Sequence, residues 1–343
     1  MDRKKSDDIN AHLRKQDHID LAFRSQVNSG LLDQRFYYEP MLAAHPSKDL
    51  DIGLTFLGKK MKAPIWVSSM TGGAQYAKTI NHNLAKAAKE FGLGMGLGSC
   101  RNLLYDDTHF GDFDLRRIIG DQPFYANLGI AQIEHQIQEK SLAKIQELLN
   151  RLQVDGLIIH VNPLQEWIQP EGDQITQRPI DTIQRFIDYF PDLSLIVKEV
   201  GQGFGPQSME QLLRLPLAAI DFGAAGGTNF AKLEMLRSST FSQPVSEPLT
   251  AIGHDAEEMV SFLQSILAQP DSRPHSMEVI ISGGVQNFLD GYYLVSKSPL
   301  KSVYGQASGF LRYAQGDYQS LRDFVSSQIQ GYQLATALLT LKP

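Results

Sequence analysis

The sequence predicts an α/β fold of the TIM (β/α)8-barrel class with an N-terminal arm, and three observations predict it. Eight short apolar runs, at 65–67, 93–97, 124–128, 157–161, 195–200, 218–222, 279–281 and 300–304, mostly recur near the roughly 30-residue period of such a barrel. Helical stretches follow most of them, and alternating strands and helices build a parallel sheet. No GxGxxG follows the first run, which favours a closed barrel over an open dinucleotide-binding sheet. The 343 residues fit one such unit, with 1–60 serving as an arm and lead-in.

Residues 1–24 are rich in charge and poor in aliphatics, as a frayed terminus is. Within them Arg14, Lys15, Asp17 and His18 form a compact basic group able to fold over a phosphate. Loop and short β pieces are expected over 31–40 and 50–57. A helix over 81–91 presents Leu84, Ala87, Ala88 and Phe91 on one face, and the same spacing extends over 133–152. Pro179 is placed to open a helix over 180–189, since its missing N–H costs nothing in a first turn. Between the sixth and seventh runs, 238–248 reads as an inserted loop and 255–267 as the main helix. The terminal stretch 318–341 reads as one long helix that packs on the barrel exterior or on a partner.

Lys plus Arg number 32 and Asp plus Glu 38, for a net charge of -6, so no global basic field invites nucleic acid or an anionic membrane. Any anionic ligand must be met by local clusters. One cysteine, Cys100, excludes an intrachain disulfide framework. No run approaches the roughly 20 apolar residues of a membrane span, and the N-terminus lacks the apolar core of a signal peptide. A cytosolic location is expected.

Barrel chemistry sits at the C-terminal ends of the strands. The fourth run, 154–161, breaks abruptly into His160, Asn162, Gln165 and Glu166, and Pro163 stops the strand. Any one of these alone would be an ordinary polar loop; together they suit a polar, charged ligand. Lys198 lies inside the apolar fifth strand, where burying an unpaired ammonium costs several kcal/mol. It must be paired, with Asp221 or Glu199, or functional, and Glu199 as its chain neighbour faces the opposite side. Glycines after the seventh and eighth strands (Gly283, Gly284, and Gly305 before Ala307) match the usual phosphate site of such barrels. Arg14, Lys15, Arg101 and His160, with Ser99 and Asn162, are placed to meet a second, more highly charged anion. Glu166 would repel that anion unless a divalent cation lay between them. The residues thus suggest a flat phosphorylated cofactor beside a diphosphate and its metal.

With these pieces in view, the chain resembles the type 2 isopentenyl-diphosphate delta-isomerases, FMN enzymes on a TIM barrel. The likeness runs from Arg14 to Leu311 through RKQDHI at 14–19, SSMTGG at 68–73, GSCR at 98–101, ANLG at 126–129, HVNPLQE with PEGD at 160–173, VKEVG at 197–201, GGTNFAKLE at 226–234, SGGV at 282–285 and GQASGFL at 305–311. It implies isomerisation of isopentenyl diphosphate to dimethylallyl diphosphate with reduced FMN, Mg2+ and NADPH as reductant, and a homo-oligomer, tetramer or octamer. It implies that Ser69, Met70, Thr71, Ser99, Asn127, Lys198, Thr228, Gly283, Gly284, Gly305 and Ala307 hold the flavin. By the same likeness Arg14, Lys15, Ser99, Arg101, His160, Asn162 and Gln165 hold the substrate, with Glu166 on the metal. Gln165, Lys198 and His160 are the implied catalytic residues. The chain departs from the family at Cys100, where glutamine is usual, at Gln286, where arginine is usual, and over 248–256.

Three other readings fit less well. A flavin barrel oxidising a 2-hydroxy acid would want a His base beside paired arginines in the late strands, and that set is missing. A barrel like inosinate dehydrogenase would want its cysteine after the sixth strand, whereas Cys100 follows the second. An idle phosphate-binding barrel would not need Gln165 and Glu166 intact.

Overall fold

Each of the eight apolar runs forms a strand, and nearly every strand residue is buried, as a sheet covered on both faces requires. The structure is a computed structural model that describes residues 11–47, 50–69, 76–237, 243–269 and 277–343. The barrel strands are Ile65–Val67, Gly94–Gly96, Phe124–Gly129, Gly156–Val161, Leu195–Glu199, Ala219–Asp221, Glu278–Ser282 and Ser302–Gln306. Each is parallel to the next in sequence, and the eighth closes on the first with Gly305 opposite Trp66.

Strand side chains alternate between the two faces, so one residue in two points into the barrel. The lower interior layer is apolar: Trp66, Tyr125, Ile158, Ile196, Ala219, Ile280 and Val303 pack together, fully buried or nearly so. Burial of each larger side chain here contributes roughly 1.5–3 kcal/mol. Gly94 is required beside this layer, because a Cβ there would lie 2.3 Å from the Trp66 ring. A hairpin of Leu54–Phe56 and Lys59–Met61 turns through Leu57 and Gly58, both at positive φ, and inserts Phe56 and Met61 into the same cluster. Phe56 meets Trp66 edge-on at 6.2 Å, so the hairpin seals the barrel opposite the strand C-termini.

The helices confirm most expected positions and correct three. Pro179–Tyr189 begins with proline in its first turn, and Ala256–Leu267 is capped by Asp255. The stretch 133–152 is not one helix but two, Ile130–Gln138 and Ala143–Leu152. Lys140 takes a left-handed φ of 53°, and the Ser141 hydroxyl donates to Gln136 Oε1, ending the first helix there. The insertion is partly helical: Gln243–Thr250 packs on Phe230–Arg237, and Asn229 donates to the Thr250 carbonyl at 2.9 Å. The terminal helix ends at Leu338, because Leu339–Leu341 pairs antiparallel with Phe36–Tyr38, where alternate residues exchange N–H and C=O bonds with the partner strand. It packs on the neighbouring barrel helices.

Helix Ala11–Leu21 opens the described arm, and every residue from Leu13 to Gln34 is exposed. Among the described residues no helix is long and apolar enough to cross a membrane.

Candidate active site

Two residues above the apolar layer, the same inward alternation places Ser68, Asn127, His160, Lys198, Asp221, Ser282 and Gly305 in an upper ring. Register makes the row continuous: His160 lies opposite Lys198, and Lys198 opposite Asp221. Lys198 Nζ is 3.3 Å from Asp221 Oδ2, with Asp221 fully buried. The Ser282 hydroxyl donates to Asp221 Oδ1 at 2.5 Å and accepts the Gly223 N–H at 3.0 Å. Glu199 plays no part in this pair: its Oε2 accepts the N–H groups of Gly201, Gln202 and Gly203 at 2.6 to 2.8 Å and braces the loop that follows.

Asn127 donates to the Leu97 carbonyl at 3.0 Å, which turns its Oδ1 to the imidazole of His160 at 2.7 Å. The ring Nδ1 must therefore carry the proton, leaving Nε2 as the acceptor nitrogen. Burial first, and then the Lys198 charge, lowers the His160 pKa to about 4. The unfolded chain binds this proton near pH 6.5, so folding excludes it between about pH 6.5 and 4. Stability should thus fall as pH drops through that window, by about 3 kcal/mol at its full extent. Denaturant melts at pH 7 and 4.5 test this: a His160→Asn variant should lose that part of the slope, and an unchanged slope would refute the assignment.

The polar ring floors a cavity of about 390 Å³. Ser69, Ser99, Asn127, Lys198, Thr228, Gly283, Gly284, Gly305 and Ala307 all line it, together with His160 and Gln165. Its wall at the seventh strand is bare backbone, since Gly283 has φ 91° and a Cβ there would lie 2.0 Å from the Ala224 carbonyl oxygen. The buried hydroxyls of Ser68 and Ser69 have no protein partner. A glycine cradle with unpartnered hydroxyls and one cation fits a flat, hydrogen-bonding ring system with an anionic end. Met70 and Thr71 lie outside the described residues.

The other expected residues gather elsewhere. Asn162 donates to Gln165 Oε1 and Glu166 Oε1, each at 3.0 Å. Arg101 lines a neighbouring cavity of about 260 Å³ and pairs with Asp173 at 2.8 Å. Arg14 and Lys15 stand on the exposed arm helix and do not line the larger cavity. Among the described residues no group of three or more acids, histidines or cysteines converges on a metal. Glu166 alone suits a cation held by one carboxylate and a ligand's phosphates.

Asp221 proves to be the partner of Lys198, one of the two that the sequence offered. Ser68 and Ser282 gain roles here that sequence motifs did not assign, although counting in twos along the strands would have found them. Asp173 and Glu234, which takes a hydrogen bond from Gln165 at 3.3 Å, had no such periodic signal. Cys100 is fully buried, which pushes its thiol up to about 12 and removes it as a nucleophile.

No family model matches the chain. The isopentenyl-diphosphate delta-isomerase of Rickettsia typhi is 32% identical over 322 residues, covering 92% of this chain and 89% of that protein. The protein of the same name in Rickettsia prowazekii is 33% identical over 305 residues, covering 88% and 85%. Among solved structures, a flavocytochrome b2 variant with sulfite bound aligns with a TM-score of 0.59 at 13% identity, over 89% of this chain and 72% of that one. A mandelate oxidase variant with a monooxide FMN adduct aligns at 0.55 and 10% identity, over 90% and 88%. At such identities these two likenesses speak to the barrel fold alone.

Proposed function

The chain belongs to the isopentenyl-diphosphate delta-isomerase family, and we propose that it interconverts isopentenyl and dimethylallyl diphosphate using reduced FMN in the larger cavity and Mg2+ at Glu166. The observation that carries this reading is the row His160, Lys198, Asp221 beneath a cavity walled by Gly283 and Gly284. Ser69, Ser99, Asn127 and Thr228 would hold the ring system, and the backbone beside Gly284 and Ala307 its phosphate. Bound there, the flavin would supply the acid and base of an allylic proton shift, with NADPH as its reductant.

The chain's own residues would do the rest. Lys198, kept in place by Asp221, offers the one cationic side chain lining this cavity among the described residues, suited to stabilising negative charge on a reduced ring. His160, neutral at pH 7 in the free protein, offers Nε2 at the same floor. Gln165 is oriented by Asn162 and Glu234 and lines the cavity, which suits it to positioning the reacting carbons. Arg101, Asn162 and Glu166 lie beyond it, on the side where a diphosphate and its metal would sit; Arg14 and Lys15 would have to close from the arm.

Oxidation of a 2-hydroxy acid is the competing reading. It needs arginines for the carboxylate, and among the described residues no arginine lines this cavity.

The test is to purify the protein, record a flavin spectrum, reduce it, and add isopentenyl diphosphate with Mg2+. Dimethylallyl diphosphate should form; its absence from a reduced, flavin-loaded sample would sink the proposal. Glu166→Gln should retain flavin while raising the Mg2+ concentration needed for half activity about tenfold, the effect of about 1.4 kcal/mol of lost metal affinity. An unshifted Mg2+ titration would remove Glu166 from the metal.

A further inference from the structure

An acid sits where an anion is meant to bind. Asp173 Oδ2 lies 2.8 Å from Arg101 Nη1, and Arg101 Nη2 donates to Oδ1 at 3.4 Å. Gln132 adds a third donor, its Nε2 reaching Asp173 Oδ2 at 2.8 Å. Gln132 is itself buried and anchored, because its Oε1 accepts the Gly129 N–H at 2.9 Å at the end of the third strand. The backbone of Asp173 makes a further contact, donating its N–H to Glu166 Oε2 at 2.8 Å. Gly172 allows that approach: a Cβ there would lie 2.0 Å from the Glu166 carbonyl oxygen, so the turn lies directly on helix Pro163–Ile168.

One residue thus touches a cationic side chain from the loop after the second strand and an acid from the helix after the fourth. We propose that Asp173 is a positioning residue for the metal-diphosphate headgroup, its carboxylate aiming the Arg101 guanidinium while its N–H aims the Glu166 carboxylate. This rests on the reading above that Arg101 and Glu166 hold that headgroup. A guanidinium is a planar fork, and clamping one edge fixes the plane in which its remaining N–H groups present themselves. With two long side chains pre-set, the ordering cost of binding is met before the ligand arrives.

The sign of one substitution decides the matter. Asp173→Asn keeps the size and the backbone N–H but removes the negative charge. If the acid were a bystander beside the anion, its loss would leave affinity unchanged or tighten it by relieving repulsion. If it positions Arg101, affinity falls. The experiment titrates magnesium pyrophosphate into flavin-loaded protein by calorimetry, with the flavin spectrum and thermal midpoint as folding controls. Asp173→Asn should bind at least tenfold more weakly and raise KM for isopentenyl diphosphate with kcat within about threefold of the parent. Arg101→Lys, which keeps the charge but not the fork, should weaken binding similarly and stands in if the first variant does not fold. Unchanged or tighter binding by Asp173→Asn overturns the proposal. Arg101→Ala separates the two levels: if it too leaves binding unchanged, the headgroup assignment itself has failed, whereas a loss there without one at Asp173 condemns only the positioning role.

Discussion

Asp221→Ala is expected to destabilise the protein by about 3 kcal/mol, read as a lowered denaturation midpoint at constant m-value. The carboxylate is fully buried, holds Lys198 at 3.3 Å, and accepts the Ser282 hydroxyl. Its removal leaves a buried ammonium without a counter-charge and a buried hydroxyl without its acceptor. Removing one partner of a buried pair typically costs about 3–5 kcal/mol, and the low end applies because Lys198 opens onto the cavity. Pairing the change with Lys198→Met should restore most of the loss, since no charge then remains unmatched. A double variant as unstable as Asp221→Ala alone would mean that shape rather than charge was lost.

The second large effect concerns activity. Lys198→Met should lower kcat by about 10²- to 10³-fold, the loss expected when one preorganised donor to a developing charge is removed from a water-poor site. The side chain lines the cavity and is about nine-tenths buried. Methionine fills nearly the same volume but leaves the buried Asp221 carboxylate without its counter-charge. The thermal midpoint of the single variant should therefore fall, and the double variant with Asp221→Ala serves as the folding control. Single-turnover assays on pre-reduced enzyme would separate this effect from impaired flavin reduction. A variant with near-parent turnover would show that another group carries the charge. The double variant with Asp221→Ala should be stable yet just as inactive, which distinguishes the structural role of the pair from its chemical one.

Much of the site was legible because strands obey a period of two. From Ile196 the count leads to Lys198, from Ile158 to His160 and from Tyr125 to Asn127, and each arrives at the cavity floor. The glycines after the seventh and eighth strands were equally readable, since close approach of backbone to a ligand asks for them locally. The split of 133–152 was hidden for a related reason: its apolar spacing continues across Lys140, whose left-handed turn leaves no mark in the hydrophobic pattern. The helix at Gln243–Thr250 was masked by its two prolines, one in the first turn, where its missing N–H costs nothing, and the other, Pro248, inside the helix.

Taken by itself, the amino-acid order determined the eight-strand closed barrel and most of the residues that line the cavity at the strand C-termini, because periodicity and turn chemistry act within a few residues. Only the tertiary structure decided which of them meet. It gave Lys198 to Asp221 rather than to Glu199, turned Arg101 towards Asp173 in a second cavity, and kept His160 neutral beside a cation. Each of these depends on strand register and on desolvation summed over groups far apart in the chain, which no local pattern encodes.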